Sequence, residues 1–185
     1  MKRVVCVVLA ILICGTAIWA QQSNGVAFAD KPAILTSVGQ SADIEMVRVL
    51  LTRAGIPFQT SPLVMASELN NNDKTMILVI GGSSKGLGAA GISADDEMRR
   101  TEALVTRARQ LNMNIIAIHV GGDARRGDLS DDFIRYAVPL ADYAIVVSDG
   151  NRDNLFTTLT NQARIPLNTA ERISGVGTPL AAAFR

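Results

Sequence analysis

A short apolar run that stops abruptly at two glycines constrains the fold of this chain most. Met76–Ile80 contains only apolar residues and is followed at once by Gly81-Gly82. A run of this length predicts a strand covered on both faces, which is typical of a parallel sheet beneath helices. Related runs predict further strands at Ala33–Thr36, Ile115–Val120 and Tyr143–Val147.

Apolar residues at helical spacing lie between these strands. The periodicity predicts helices around Met46–Ala54, from Ser93 to Leu111, over Ser130–Val138 and from Leu155 to Ala163. Weaker signals predict edge strands at Pro57–Thr60 and Ile165–Leu167, and helical turns at Met65–Leu69 and Leu180–Phe184. The alternation predicts an α/β fold: a doubly wound, mainly parallel sheet of about five strands in a flavodoxin-like or Rossmann-like three-layer sandwich.

The glycine-rich segment Gly81–Gly91 is predicted to be a long loop after the strongest strand. Exposed N–H groups, hydroxyls and one ammonium in such a loop suit an anion. The residues expected to contribute are Gly82, Ser83, Ser84, Lys85 and Gly86. Gly86–Gly91 matches G-x-G-x-x-G, but it begins well after the strand and so departs from the dinucleotide-binding fingerprint. The alternative interpretation is a loop whose glycines only permit tight turns.

The N-terminal sequence is typical of a secretory signal. Lys2-Arg3 precede the apolar stretch Val4–Ala20, and Ala27-Phe28-Ala29 offers small residues at the positions that a signal peptidase reads. This predicts a signal peptide over residues 1–29 and one α/β domain over residues 30–185, exported to the periplasm or the cell exterior. Cleavage after Ala20 and retention as an uncleaved anchor are the alternatives. After cleavage, no stable membrane association is expected.

Composition narrows the classes of ligand. The formal net charge of +1 argues against nucleic acid, which needs a basic face. Cys6 and Cys14 are the only cysteines, and both fall in the predicted signal, so no disulfide or cysteine-based site is expected in the mature chain. No metal site is predicted and no cofactor is indicated. A flavin is disfavoured because the mature loops lack aromatic rings. The sequence indicates no oligomeric state.

Four loops are predicted to meet at the carboxyl ends of the strands, where ligands bind in open α/β sheets. These loops are Ser37–Asp43, Gly81–Gly91, His119–Gly127 and Ser148–Asn151. The residues predicted to bind a ligand there are Ser37, Gln40, Ser41, Gly82, Ser83, Ser84, Lys85, Gly86, His119, Gly121, Gly122, Arg125 and Arg126.

Each charged or titratable candidate has a second interpretation. Lys85, Arg125 and Arg126 would bring positive charge for a carboxylate or phosphate, although the two arginines can instead pair with nearby aspartates. The only histidine, His119, is either a satisfied structural residue or the one available general base. Asp43 can gather with other aspartates round a hard cation, although helix capping is the favoured role for it.

Three motifs together resemble an uncharacterised family of exported bacterial proteins. The motifs are LTSVGQSAD, GGSSKGLGAAG and HVGGDARRGDLSD, and the resemblance covers residues 31–167. It implies an extracytoplasmic location and a Rossmann-like or flavodoxin-like α/β domain after a signal peptide. It implies no activity.

These patterns favour a binding module that holds a small anionic or polar ligand at the strand ends. Two other hypotheses stay open at this stage. One is a hydrolase or transferase that uses His119 as general base beside a serine. The other is a non-catalytic docking subunit of an envelope complex.

Overall fold

A computed structural model describes residues 27–185 and contains one six-stranded, all-parallel sheet. The strands are β1 (Ala33–Val38), β2 (Phe58–Thr60), β3 (Thr75–Ile80), β4 (Asn114–His119), β5 (Tyr143–Val147) and β6 (Leu167–Ala170). Their order is β2-β1-β3-β4-β5-β6. This is the flavodoxin-like order with one added edge strand. The strands all run parallel, but successive strands are added on opposite sides of the sheet before and after the point between β1 and β3. The predicted fold class is confirmed.

Helices cover both faces of this sheet. They are α1 (Asp43–Arg53), α2 (Ser84–Ala90), α3 (Ala94–Gln110), α4 (Asp128–Ala137), α5 (Leu155–Ala163) and α6 (Gly177–Ala183). α1 and α6 pack on one face, and α2 to α5 contribute to the core on the other, which gives three layers. Within residues 27–185, none of the helices has the length and apolar character needed to cross a bilayer.

β3 lies near the middle of the sheet because its side chains are apolar on both faces. Met76, Leu78 and Ile80 belong to the core beneath α3 and α4, whereas Ile77 and Val79 belong to the core beneath α1 and α6. β1 and β4 pair with it on either side. This two-sided burial is what the uninterrupted apolar run predicts.

Two residues of the predicted signal, Phe28 and Ala29, make contacts in the described part of the fold. Ala29 is fully buried and forms a β-bridge with Phe184, and the ring of Phe28 packs edge-on against Tyr143. A chain cleaved after Ala29 would lose these contacts, whereas a chain cleaved after Ala20 would keep them. The rest of the predicted signal, residues 1–26, lies outside the described residues.

The last edge strand starts two residues later than predicted. Arg164 adopts a left-handed conformation at the end of α5, and the N–H of Ile165 still bonds to the carbonyl of Thr160. Residues 165 and 166 therefore lie between α5 and β6 and belong to neither element. The predicted edge strand at Pro57–Thr60 is confirmed as β2.

The glycine-rich segment is not a long loop, and this prediction is wrong. α2 occupies Ser84–Ala90, with the Ser83 hydroxyl accepting from the N–H of Gly86 at 3.0 Å as its N-cap. Gly91 ends the helix in a left-handed conformation, with φ of 69°. A serine cap, a glycine terminator and one buried apolar residue, Leu87, together outweigh the poor helix propensity of the glycines.

Two glycines of α2 are expected to respond in opposite ways to alanine. A Cβ on Gly86 would lie 1.9 Å from the carbonyl oxygen of Gln40, whereas a Cβ on Gly88 would meet nothing within 4 Å. Gly86→Ala should therefore lower the free energy of unfolding by about 1–3 kcal/mol through overpacking. Gly88→Ala should raise it by about 0.5–1 kcal/mol through helix propensity. Urea denaturation of the two variants measures both changes. Equal effects would contradict the close contact between α2 and Gln40.

Candidate functional site

The carboxylate of Asp43 lies where the strand order reverses. Asp43 opens α1 and is only 2% exposed. A Cβ on Gly81, at the end of β3, would lie 3.3 Å from its Oδ2 atom, and a Cβ on Gly121, after β4, would lie 2.6 Å from the same atom. Glycines at both strand ends therefore make room for this carboxylate.

The sequence predicts that Asp43 caps its helix, and this prediction is wrong. The N-cap position is Ala42, which makes no side-chain capping bond. The N–H of Asp43 donates instead to the hydroxyl of Ser41 at 3.2 Å. The carboxylate of Asp43 still benefits from the positive end of the α1 dipole, but its Oδ2 atom has no hydrogen-bond partner.

Arg125 lies beside this carboxylate without forming a close bond to it. Its Nε atom is 3.6 Å from Oδ1 of Asp43, and its side chain is 43% exposed. A Cβ on Gly121 would lie 2.2 Å from Cγ of Arg125. The stem of the arginine therefore crosses Gly121 next to Asp43, at a separation beyond ordinary hydrogen-bond length.

Buried oxygen atoms without hydrogen-bond partners concentrate at the carboxyl edge, the edge of the sheet where the carboxyl ends of the strands lie. In the part of the chain that the structure describes, the buried side-chain polar atoms without a hydrogen-bond partner are Ser37 Oγ, Asp43 Oδ2 and Asp149 Oδ1. Asp149 follows β5, and a Cβ on Gly122 would lie 2.6 Å from its Oδ1. The adjacent glycines 121 and 122 therefore each contact one carboxylate. Native proteins contain few such atoms, so each requires an explanation.

No metal-binding cluster accompanies these carboxylates. Within residues 27–185 there is no group of three or more His, Cys, Asp or Glu side chains placed to hold a metal ion. Asp123 is exposed, in a short helical turn that ends at Arg125. The hard-cation arrangement considered from the sequence is therefore not assembled here.

His119 ties two strand ends together. The ring is fully buried, with Nδ1 2.8 Å from the carbonyl oxygen of Ile80 and Nε2 3.3 Å from that of Gly122. It also packs against Phe156, with ring centroids 5.4 Å apart. A neutral imidazole donates from one nitrogen only, and no described serine is hydrogen-bonded to this ring. The geometry therefore favours the structural interpretation of His119 over a general base.

The N–H groups of the glycine-rich segment are largely used within the protein. The N–H of Gly81 donates to Val38 at 2.9 Å and that of Ser83 donates to Gly39 at 2.8 Å. The N–H of Gly82 donates to the Ser130 hydroxyl at 2.9 Å. Together with the capping bond of Gly86, these contacts dock the segment against the loop after β1 and against α4. Contrary to the sequence prediction, these four N–H groups are not free to cradle an anion.

Arg126 is likewise hydrogen-bonded within the protein, whereas its neighbour Arg125 only approaches Asp43 at 3.6 Å. Its Nε donates to Asp131 at 2.6 Å, its Nη2 donates to Asp153 at 2.8 Å, and its Nη1 donates to the carbonyl of Gly150. These hydrogen bonds raise the pKa of Arg126, lower that of Asp131 and lower the pKa of Asp153 to about 2. Arg126 therefore joins the starts of α4 and α5. Contrary to the sequence prediction, its charge is not available to a ligand.

A buried ion pair on α3 positions the loop after β1, and the sequence analysis missed it. Arg100 Nε donates to Glu97 Oε2 at 2.7 Å, and Oε1 of Glu97 accepts from the N–H of Gly39 and from Nε2 of Gln40, both at 2.9 Å. Arg100 also donates to the carbonyls of Ser37 and, at 3.0 Å, Val64. The signal was present, because both charges interrupt the apolar stripe of a predicted helix.

The predicted site residues thus fall into two groups. One group is fixed by internal contacts and comprises Gln40, Gly82, Ser83, Gly86, His119 and Arg126. The residues of the other group lie at the carboxyl edge, and they either keep unused hydrogen-bonding capacity or leave space for the side chains there. They are Ser37, Ser41, Gly121, Gly122 and Arg125, with Ser84 and Lys85 exposed on the first turn of α2. Asp43 and Asp149 join this second group.

Comparison with known proteins identifies the domain but no activity. The family model described as a domain of unknown function (DUF6305) matches residues 30–184, which confirms the resemblance to an uncharacterised family. Among solved structures, a GDSL-like lipase from Bacteroides thetaiotaomicron is similar with a TM-score of 0.36 and 8% identity. The match covers 74% of this chain and 66% of the lipase chain, just under two thirds of its length. No curated protein matches the chain.

Removing the cation of the buried pair should destabilise the protein severely. Arg100→Ala leaves the carboxylate of Glu97 buried without a counter-charge, so the free energy of unfolding should fall by about 3–5 kcal/mol. Arg99→Ala is the matched control, because the Arg99 side chain is 69% exposed and pairs with Asp96 at the surface. The control should cost less than about 1 kcal/mol. Chemical denaturation compares the two, and equal losses would contradict the role given to Glu97 and Arg100.

The Arg126 cluster should make stability depend on acid pH. The pKa of Asp153 is about 2 in the folded protein, below the value near 3.9 expected for an unfolded chain. The stabilisation is therefore complete above about pH 4 and is lost as the pH falls toward about 2. Asp153→Asn should remove part of this loss. The change in the free energy of unfolding should stay below about 1 kcal/mol, since the Asp153 side chain is 55% exposed.

A double-mutant cycle tests this assignment. In an Arg126→Met background, the Asp153→Asn substitution should change much less how the free energy of unfolding varies with pH, because only the weaker backbone bonds, chiefly that from the N–H of Leu155, still lower the pKa of Asp153. Urea denaturation at steps of pH measures the four profiles. An unchanged contribution of Asp153 in that background would show that a partner other than Arg126 lowers its pKa.

Proposed function

The chain belongs to the DUF6305 family of domains of unknown function, and we propose that it binds a small polar ligand with an anionic group. The site is the carboxyl edge of the sheet, among the loops that follow β1, β4 and β5. The observation that carries the proposal is the location of the unpartnered buried oxygen atoms of Ser37, Asp43 and Asp149 within residues 27–185, all at this edge.

Unsatisfied polar atoms of this kind cost stability. A buried donor or acceptor without a partner loses its hydration and gains nothing in return. Elsewhere in the described chain such groups find partners: Thr75 donates to a backbone carbonyl and Asp73 accepts from Gln59. The unpartnered atoms all lie at the edge where open α/β sheets bind ligands. This location supports a role for them in binding rather than in folding.

Two exposed cations supply the charge for an anionic group. Lys85 stands on the first turn of α2, after β3, and Arg125 lies across Gly121, after β4. Arg126 contributes nothing, because its guanidinium is already bonded to two carboxylates. Arginine suits a planar carboxylate or phosphate, and lysine adds a mobile point charge.

The geometry favours a binding module over an enzyme. Both nitrogens of His119 face carbonyl oxygens, so the histidine would have to leave its place to act as a base. The apolar N-terminal sequence and the family resemblance support export, so the ligand would be one that the protein meets in the periplasm or outside the cell.

Native mass spectrometry of the full chain, as its host makes it, tests the proposal. We expect a retained small molecule of defined mass. Arg125→Ala should weaken its binding about tenfold or more, and Lys85→Ala should weaken it by a smaller factor, because each removes a charge-assisted contact. Arg53→Ala is the matched control, since Arg53 lies in the last turn of α1, away from the carboxyl edge. It should leave binding unchanged.

Two results would contradict the proposed function. One is a ligand whose affinity falls equally in the Arg53 variant and in the Arg125 variant. The other is a protein that retains no molecule and gains no thermal stability from small organic acids, phosphates or amino acids at millimolar concentration.

A further inference from the structure

The carboxylate of Asp43 is only half satisfied. Its Oδ1 atom has Arg125 Nε at 3.6 Å, and its Oδ2 atom has no hydrogen-bond partner. At 2% exposure, the carboxylate has also given up nearly all contact with solvent. A buried carboxylate needs both a counter-charge and hydrogen-bond donors to offset its lost hydration. Arg125 supplies the charge at a distance, and nothing described supplies the donors.

Among the described groups next to this carboxylate, Arg125 is the one that can move most easily. Gly81 and Gly121 approach it with their main chain, and Ser41 is itself buried. Arg125 differs, because its side chain is 43% exposed and rotates about several bonds. A ligand group that reaches Asp43 would therefore enter by displacing Arg125.

The charge of the incoming group follows from what it displaces. A neutral hydroxyl would donate one hydrogen bond but would leave the buried carboxylate without a counter-charge, which is costly. An ammonium group restores the charge and brings three donors. Two acceptors lie close together here, because Oδ2 of Asp43 and Oγ of Ser41 are 3.3 Å and 3.0 Å from the position of a Cβ on Gly81.

We propose that the ligand is a small zwitterion whose ammonium group replaces Arg125 on the carboxylate of Asp43. The displaced guanidinium of Arg125, together with Lys85, then binds the anionic group of the same molecule. This inference rests on the proposed function, because it specifies the ligand of the same edge. Arg125 thus occupies the ammonium position until the ligand arrives.

A matched series of small probes separates the charges. The probes are 3-aminopropanoate, the acid propanoate and the amine n-propylamine, titrated by calorimetry into the full chain. The zwitterion should bind about tenfold more tightly than either single-charge probe, since only the zwitterion makes both charge-assisted contacts. An acid that binds as tightly as the zwitterion would overturn this inference and leave the proposed function standing.

Two variants give opposite signatures. Asp43→Asn should abolish the preference for the zwitterion over the acid, while Asp73→Asn, the control at a buried aspartate bonded to Gln59, should leave it intact. Arg125→Ala should raise the affinity for n-propylamine by removing its competitor, and should lower the affinity for propanoate. The Arg125 variant keeps the test decisive if Asp43→Asn does not fold.

Failure of the two proposals can be told apart. Unchanged amine affinity in the Arg125 variant, or a zwitterion preference that survives Asp43→Asn, would refute the ammonium assignment alone. If none of the three probes binds and native mass spectrometry also finds no retained molecule, the proposed function fails with it.

Discussion

The carboxyl edge depends on one buried ion pair, that of Glu97 and Arg100 on α3. The glutamate accepts from the main chain of Gly39 and from the side chain of Gln40, and so fixes the turn that follows β1. Gln40 in turn pairs with Gly82 in an antiparallel bridge, and its carbonyl limits how closely α2 can approach. A charge pair beneath one loop therefore positions the next loop as well. Exchange of such a pair for apolar side chains can preserve stability in other proteins, but apolar side chains could not hold these loop donors.

The edge combines fixed groups with unsatisfied ones, and this contrast is the basis of the functional argument. Arg126, His119 and the N–H groups of Gly81 and Gly82 all have partners, and they hold the loops after β3, β4 and β5 in one arrangement. Against this rigid frame the carboxylate of Asp43 keeps free capacity. A site that is preorganised in this way loses little conformational entropy when a ligand binds.

The sequence predicted the strands well because the central strands are mostly apolar on both faces, a pattern that local composition alone reveals. It failed where tertiary contacts decide the outcome. α2 forms despite its glycines because Ser83 caps it and Leu87 is buried. Arg125 and Arg126 are adjacent and chemically alike, yet only Arg126 is held by close hydrogen bonds, because it follows the short helical turn that ends at Arg125 and bonds to Asp131. No pattern within a single sequence distinguishes the two arginines.

The same physics explains how the domain tolerates its unsatisfied carboxylate. Asp43 sits in the first turn of α1, where the helix dipole favours a negative charge, and Arg125 adds a second, more distant attraction. Together these terms stabilise the ionised group without saturating its hydrogen bonds. A full bidentate pair with Arg125 would close the position to any competitor, whereas an isolated buried charge would destabilise the fold. At the observed separation of 3.6 Å, Arg125 supplies charge but no close hydrogen bond, so a group that brings both charge and donors forms hydrogen bonds that Arg125 does not make.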